Sequence, residues 1–351
     1  MKLVRKYFEN LFLARWFVTT FALLALLSIV DSVGNADILS ADAGTAGALK
    51  YMILRLPSLY DRIFLFALFI SLLITLLSLI RRQELVGFVS MSVSPLMQVR
   101  ALIKAVLLVT IVSVIVIDQT LPRTVTALEN WLGASAFSEE DAGTPSSLWI
   151  AEPDAFVEIK SQRGDVLSDL IIYHRADKGE VSGVTRAASA HYSAGVWQLG
   201  LAQTTSFKDA TPPVVTQWRT QQTPRTLQKL GTSPRNLSLL ELYSLSSLRG
   251  SGTRPSSAYQ VWALNRLTMP LVAFGFVLVA VPLMQQFGRR QSGDQRLMIG
   301  IALGFAYFII DGVLKTVAEG GGVSVSMAIG LPLGLLLGLG VYLNLEAERV
   351  K

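Results

Sequence analysis

The sequence predicts a membrane α-helical fold, six transmembrane helices carrying one large, β-rich extracytoplasmic domain. Three observations lead there. Apolar segments long enough to cross a bilayer occur as two triplets. A polar block of 147 residues, Gln119 to Asn265, separates the triplets. Inside that block, β-favouring runs alternate with turn-forming residues. The bulk agrees: 51% of the 351 residues are hydrophobic, 16% are charged and the mean hydropathy is +0.48, whereas a soluble domain is about a quarter charged.

The first triplet is Leu11 to Val30, with Arg15 as its one charge, then Ile63 to Ile80, with none, and Ala101 to Ile117, with only Lys104. The second is Leu267 to Met284, Leu297 to Ala318 and Val323 to Leu345. Twenty residues at 1.5 Å rise cross a hydrocarbon core of about 30 Å. Lys2, Arg5 and Lys6 precede the first segment, as in a signal peptide. Its apolar stretch is long for one, however, and no clean A-x-A site follows, which predicts a retained helix.

Orientation follows from Lys and Arg in the short loops. Lys2, Arg5 and Lys6 precede span one, and Arg81, Arg82, Arg100 and Lys104 lie around the loop between spans two and three. Arg289, Arg290 and Arg296 lie between spans four and five, and Arg349 and Lys351 follow span six. The opposite side has Lys50 and Arg55 in its first loop and no basic residue in 319–322. Both termini are therefore expected in the cytoplasm and the central block outside. This placement of the basic residues also explains the net charge of +6 by anionic lipid headgroups, so nucleic acid is not expected as a partner.

Two features inside the last spans have alternative readings. Gly300 and Gly304 are four apart, as are Gly330, Gly334 and Gly338. Such spacing lays small residues on one helix face, for packing within the bundle or against a partner subunit. Asp311 and Lys315 also share a face. A charge at membrane depth costs roughly 2.5–3.5 kcal/mol on insertion scales. The two residues are expected either as a self-satisfied pair or as polar lining of a cavity.

In the central block, Phe156, Val157 and Ile159, then Ile171 to Tyr173, favour strand. Further strands are expected over 181–185, 188–192, 196–201 and 214–219. Their separators are Arg163-Gly164-Asp165, Asp177-Lys178-Gly179, Ser193-Ala194-Gly195 and Thr211-Pro212-Pro213. Short strands at this spacing predict a sandwich, a jelly roll or an open barrel. Ser238 to Glu241 has capping-box spacing, so a short amphipathic helix is expected over about 238–249. The expected domains are 1–118, 119–265 and 266–351.

Catalytic chemistry has no support. Cysteine is absent and the two histidines, His174 and His191, are too few for a metal site. No nucleophile elbow and no Walker A motif occurs, so any ATP is hydrolysed by another chain. Residues 81–100 form the most informative loop. Glu84 opens it, Leu85, Phe88 and Met91 recur at spacings of three, and Ser94-Pro95 turns the chain back. A short helix over about 83–95 would dock in a groove on a soluble partner or simply connect two spans.

Leu56-Pro57 through Tyr60, Glu84-Leu85, the Ser94-Pro95 turn, Leu148-Trp149-Ile150, Phe156 to Ile159, Ile171 to Tyr173, Val196 to Leu199 and Gly304-Phe305 to Asp311 together resemble the LptF/LptG family of lipopolysaccharide-export permeases. The similarity covers essentially the whole chain, and the strand pattern from Leu148 is more similar to the LptG branch. The resemblance implies a Gram-negative inner-membrane subunit with a periplasmic jelly roll. It implies a heterodimer with a second permease of the family, a cytoplasmic LptB-like ATPase dimer, and LptC-like and LptA-like periplasmic jelly-roll proteins. It implies lipopolysaccharide as cargo and no cofactor on this chain, ATP and magnesium being held by the ATPase. Carried over, Arg82, Glu84, Leu85, Phe88 and Met91 would couple to the ATPase, and spans one and five would form gates against the partner's spans five and one.

Two departures stand out. Where the family often has Ser before the Glu and Gly eight residues after it, this chain has Gln83 and Ser92. Where family members can carry lysines at the outer end of span one, it has Asp31, Asp37 and Asp42. Lys50, Arg55, Arg62 and Lys315, with Asp311, are left as gate or headgroup candidates. Two other functions fit the same architecture: a permease for another lipid or for lipoproteins, and a membrane-anchored periplasmic scaffold or sensor, which needs no ATPase.

Overall fold

The computed structural model describes residues 2–36, 44–82, 84, 95–132, 147–152, 154–175, 180–207, 215–220, 222–247, 254–286 and 293–349. Among them, six helices are long and apolar enough to cross a membrane. These are α1 (Lys2–Gly34), α2 (Gly44–Arg81), α3 (Pro95–Leu132), α6 (Ser256–Gln286), α7 (Gly293–Glu319) and α8 (Val325–Arg349). Between α3 and α6 lie seven strands and two short helices, α4 (Pro224–Gly231) and α5 (Leu239–Ser247). The chain divides into two compact units. One is Met1–Leu128 with Ala263–Ala318 and Gly322–Lys351; the other is Glu129–Trp262 with Glu319–Gly321. The border expected at residue 118 falls inside α3, which runs past its apolar segment to Leu132.

In the helical unit, one core joins Phe8 and Phe12 of α1 to Phe64 through Leu79 of α2, Val99 to Val109 of α3, Val272 to Met284 of α6, and Leu336 and Leu343 of α8. The Phe69 and Phe276 rings lie 4.5 Å apart at its centre. The helices differ sharply in burial. Only 11% of the most apolar stretch of α1, and of α7, is buried inside the chain, against 61% for α2 and 72% for α6.

Polar ties set the register of α3 against α6. Arg266 Nη1 lies 2.9 Å from Asp118 Oδ1, and Gln285 Nε2 donates to Gln98 Oε1 at 2.6 Å. Twenty residues separate Gln98 from Asp118, about 30 Å of helix, which matches the hydrocarbon thickness. On α6 the two ties bracket the uncharged run Leu267 to Met284. Midway, Asn344 Nδ2 donates to Leu278 O (2.8 Å) and Gly340 O (2.7 Å). A Cβ on Gly340 would stand 2.7 Å from Leu278 Cβ, so glycine is what lets α8 approach α6.

The glycine-face readings now separate. A Cβ on Gly300 would meet Leu73 at 2.8 Å, and one on Gly304 would meet Phe69 at 2.6 Å. That face packs within the bundle, α7 against α2. Gly330, Gly334 and Gly338 have nothing within 4 Å and lie on an open face of α8.

The other unit holds β1 (Leu148–Ala151), β2 (Ala155–Arg163), β3 (Val166–Arg175), β4 (Val181–Ser193), β5 (Val196–Gly200), β6 (Gln203–Ser206) and β7 (Gln217–Trp218). Every pairing is antiparallel and the order is β1-β2-β3-β4-β5-β7, with β6 also on β4. The connectivity is a sequential meander; its jelly-roll-like character lies in its curvature. Leu167 and Leu170 are both buried, as are Ala187 and Ala190, although a spacing of three puts side chains on opposite faces of a regular strand. Asp169 (φ 54°) and Leu201 (φ 52°) adopt left-handed backbone near these reversals, and β5 and β6 keep one register on β4 across Leu201. The sheet thus bends along a line crossing its strands. Trp218 Nε1 donates to Glu152 Oε2 at 3.1 Å, bringing β7 to the β1–β2 connection and curling the sheet end to end.

Of the expected separators, Gly164-Asp165 and Ala194-Gly195 are two-residue hairpin turns. Residues 177–179 and 211–213 lie outside the described residues. Two expected strands, 181–185 and 188–192, form the single β4. The capping box is formed: Ser238 N donates to Glu241 Oε2 at 2.9 Å, and Glu241 N donates to Ser238 Oγ at 3.4 Å. Helix α4 was not anticipated, although Thr223-Pro224 caps it with a hydroxyl and a proline in its first turn.

Candidate functional site

The candidate residues fall at opposite ends of α1 and α2 and along α7. Near the start of α1, the Tyr7 hydroxyl donates to Glu84 Oε2 at 2.8 Å. Arg82 Nη1 lies 3.9 Å from Glu84 Oε1. Glu84 therefore stands between a cation of its own loop and the first helix, its side chain 31% exposed. Leu85, Phe88 and Met91, with the remainder of the helix expected over 83–95, lie outside the described residues. Tyr7 escaped sequence reasoning. Seventy-seven positions separate it from Glu84, and no local pattern links them.

At the far end of α1, Asp31 meets two residues of α2. Arg55 Nε lies 3.2 Å from Asp31 Oδ1, both side chains 8% exposed, and the Tyr51 hydroxyl donates to Asp31 Oδ2 at 2.9 Å. Desolvated charges persist where they are paired and hydrogen-bonded, and this cluster supplies both. Arg55, a headgroup candidate by sequence, is engaged in joining α1 to α2. Asp31, which the sequence offers as a bare negative charge, is neutralised by it. Lys50 and Arg62 are exposed on α2. Asp37 and Asp42 lie outside the described residues.

Asp31 and Tyr7 are twenty-four residues apart, about 36 Å of helix. Helix α1 is thus tied to the α2 chain at both ends. Between the ties, Arg15 Nη1 reaches Ile74 O only at 3.5 Å, and the buried hydroxyls of Thr20 and Ser28 have no partner among the described residues. On α7, Lys315 Nζ and Asp311 Oδ2 form a close ion pair, with the side chains 13% and 15% exposed. The pair reading of these residues is met. Arg266 and Asp118, a further buried pair, were missed because 148 positions separate them.

A cavity of about 150 Å³ opens one turn away from Asp311, among α2, α6, α7 and α8. Phe69, Phe276, Gly304, Tyr307, Ile310 and Leu336 contribute to a wall that is overwhelmingly apolar. A void of that size and character accepts an apolar group about as large as benzene.

In the sheet unit, His174 Nε2 lies 2.8 Å from Thr185 Oγ1, which is 3.1 Å from Thr204 Oγ1. Burial lowers the His174 pKa, so the ring is a satisfied neutral partner in a strand-to-strand network. Burial acts to raise the Glu241 pKa, but the Ser238 backbone N–H and the Lys229 ammonium outweigh it and hold the carboxylate low. Neither arrangement offers a nucleophile with a base beside it.

Comparison with known proteins matches this architecture. The chain is 24% identical over 307 residues to the lipopolysaccharide export system permease protein LptG of Escherichia coli strain K12, covering 84% of each chain. To the protein of the same name in Haemophilus influenzae it is 24% identical over 320 residues, covering 88% of each. The family model described as lipopolysaccharide export system permease LptF/LptG matches residues 6–346. With six span-length helices among its described residues, an antiparallel sheet between the third and fourth of them in chain order, and a match over nearly its whole length, this chain belongs to the LptF/LptG family of lipopolysaccharide export system permeases.

Proposed function

We propose that the chain is one permease subunit of an ATP-driven exporter that takes lipopolysaccharide from the inner membrane and passes it to a periplasmic bridge. One observation carries the reading. The two helices that the family resemblance assigns to gates, α1 and α7, are the two least buried. A helix left uncovered by its own chain must face lipid or another subunit. Two such helices suit a second permease closing a chamber from the other side.

In this reading both termini and the 81–100 loop are cytoplasmic, as the Lys and Arg placement favours, and the sheet unit is periplasmic. The chain itself is not an enzyme and holds no cofactor; a separate ATPase dimer binds ATP and magnesium. Glu84 and Arg82 meet that ATPase, together with Leu85, Phe88 and Met91. The Tyr7 hydrogen bond to Glu84 passes the resulting motion directly to α1. Lys50 and Arg62, exposed on α2, meet lipid phosphates, and the Asp311–Lys315 pair lines the gate. The curled sheet receives acyl chains and hands them to further jelly-roll proteins of the bridge.

Purification of the tagged chain from its own membranes tests the proposal. A second six-span permease and a soluble ATPase are expected to co-elute, and reconstituted complex is expected to release lipopolysaccharide only with ATP. Glu84→Ala is expected to lose the ATPase. A preparation that binds no ATPase with or without Glu84 rejects the exporter and leaves a scaffold.

A further inference from the structure

We propose that α5 is an interfacial anchor that inserts Leu240 and Tyr243 into a lipid surface rich in anionic headgroups. This inference requires α6 to cross a bilayer but is independent of what is exported. Leu242 and Leu245 bury one face of α5, and Lys229 Nζ, 2.9 Å from Glu241 Oε1, fastens the helix to α4. On the outer face Leu240 is 83% and Tyr243 75% exposed. Three positions apart, they form one patch, flanked by the exposed residues Ser244 and Ser247.

Three observations point to lipid as the occupant. First, only eight residues separate the end of α5 from the start of α6. Second, Arg235 places its guanidinium 5.1 Å over the Trp262 ring of α6. Trp262 lies five residues before the uncharged run that starts at Leu267, about 7.5 Å outside the apolar stretch, where membrane tryptophans sit. The segment leading into α5 is therefore held at headgroup depth. Third, residues 224–256 contain five Lys or Arg and one acidic residue, Glu241, whereas residues 148–218 contain six basic and eight acidic. The positive excess is confined to the helical part of the unit, and interfacial helices pair such charge with an apolar face.

The chain lacks cysteine, so single nitroxide labels are placed cleanly at Leu240→Cys, Tyr243→Cys, Lys160→Cys on the sheet and Leu271→Cys on the exposed side of α6. The purified complex is assembled into nanodiscs of zwitterionic and anionic phospholipid, and accessibility to oxygen and to a water-soluble nickel chelate is measured. Labels at 240 and 243 are expected to be several-fold more accessible to oxygen than to nickel, at a depth of about 5–10 Å, while the label at 160 shows the reverse. Labels at 240 and 243 that behave like the one at 160 overturn the proposal. So does exclusion of both reagents, which means that a protein covers the helix. A water-exposed label at 271 removes the spanning role of α6 and the anchor with it.

Discussion

Helices α6 and α7 are both apolar enough to cross a membrane, yet 72% of the core stretch of α6 is buried in protein and only 11% of that of α7. The difference is one of surface detail. Helix α6 carries Arg266, Gln285 and a close glycine contact from α8, each with a partner on a neighbour. Helix α7 pairs Asp311 with Lys315 along its own length, reaches α6 near its start through Arg296 Nη1 to Met284 O at 2.9 Å, and packs Gly300 and Gly304 against α2 while Gly312 meets open space. Lipid tails and protein interiors are equally apolar, so association in a bilayer depends on packing and polar contacts. Helices α2 and α6 are built to stay, whereas α1 and α7 leave most of their surface for something else.

The largest blow to that contrast comes from Arg266→Ala. Removing the cation of this largely buried pair takes the guanidinium from the Asp118 carboxylate and costs about 3 kcal/mol. The thermal midpoint of the detergent-purified protein is expected to fall accordingly, with partial recovery in the double variant Asp118→Leu/Arg266→Met. An unchanged midpoint removes the tie from the list of forces that hold α6.

Glycine substitutions sharpen the contrast. Gly304→Leu drives a side chain into Phe69 and is expected to cost about 1–3 kcal/mol by overpacking. Gly334→Leu meets open space and is expected to stay within about 0.5 kcal/mol in the isolated chain. Equal effects at the two sites contradict the assignment of faces.

Tyr7→Phe removes one hydrogen bond from the α1 end, worth about 0.5–1.5 kcal/mol. Its expected signature is functional. ATP hydrolysis by the complex persists while its stimulation by lipopolysaccharide declines, and intact stimulation shows that Glu84 acts without α1.

The sheet unit supplies the smallest effect. The His174 pKa is depressed in the folded state by burial, so the unfolded chain takes up the proton first. The network's contribution is complete above about pH 6.5, the unfolded value, and is lost as pH falls through the lower folded value. Amide protection in β3 and β4, after division by the intrinsic exchange rate at each pH, is expected to fall below pH 6.5, with less loss in His174→Gln. A flat profile in the native protein rejects the link.

Much of this was legible in the residues. Six spans, most of the central strands, both hairpin turns and the capping box of α5 rest on local signals, although 181–185 and 188–192 fuse into β4 and no strand was expected over β6. The α4 cap was equally local and was overlooked. The bend at Asp169 and Leu201 was hidden because left-handed backbone at these residues is imposed by strand pairing. The site was harder still. Arg55 reads as a headgroup ligand until Asp31 appears beside it, and Tyr7 has no visible claim on Glu84.

Composition and periodicity alone determined that the chain enters a membrane six times and carries a β domain, because solvation and backbone geometry act within a few residues. Tertiary structure decided which helices are buried, which charges cancel and which glycines touch anything. Those outcomes depend on partners far apart in the chain, 148 positions for Arg266 and Asp118 and 187 for Gln285 and Gln98, and an apolar medium rewards lipid and protein contact alike.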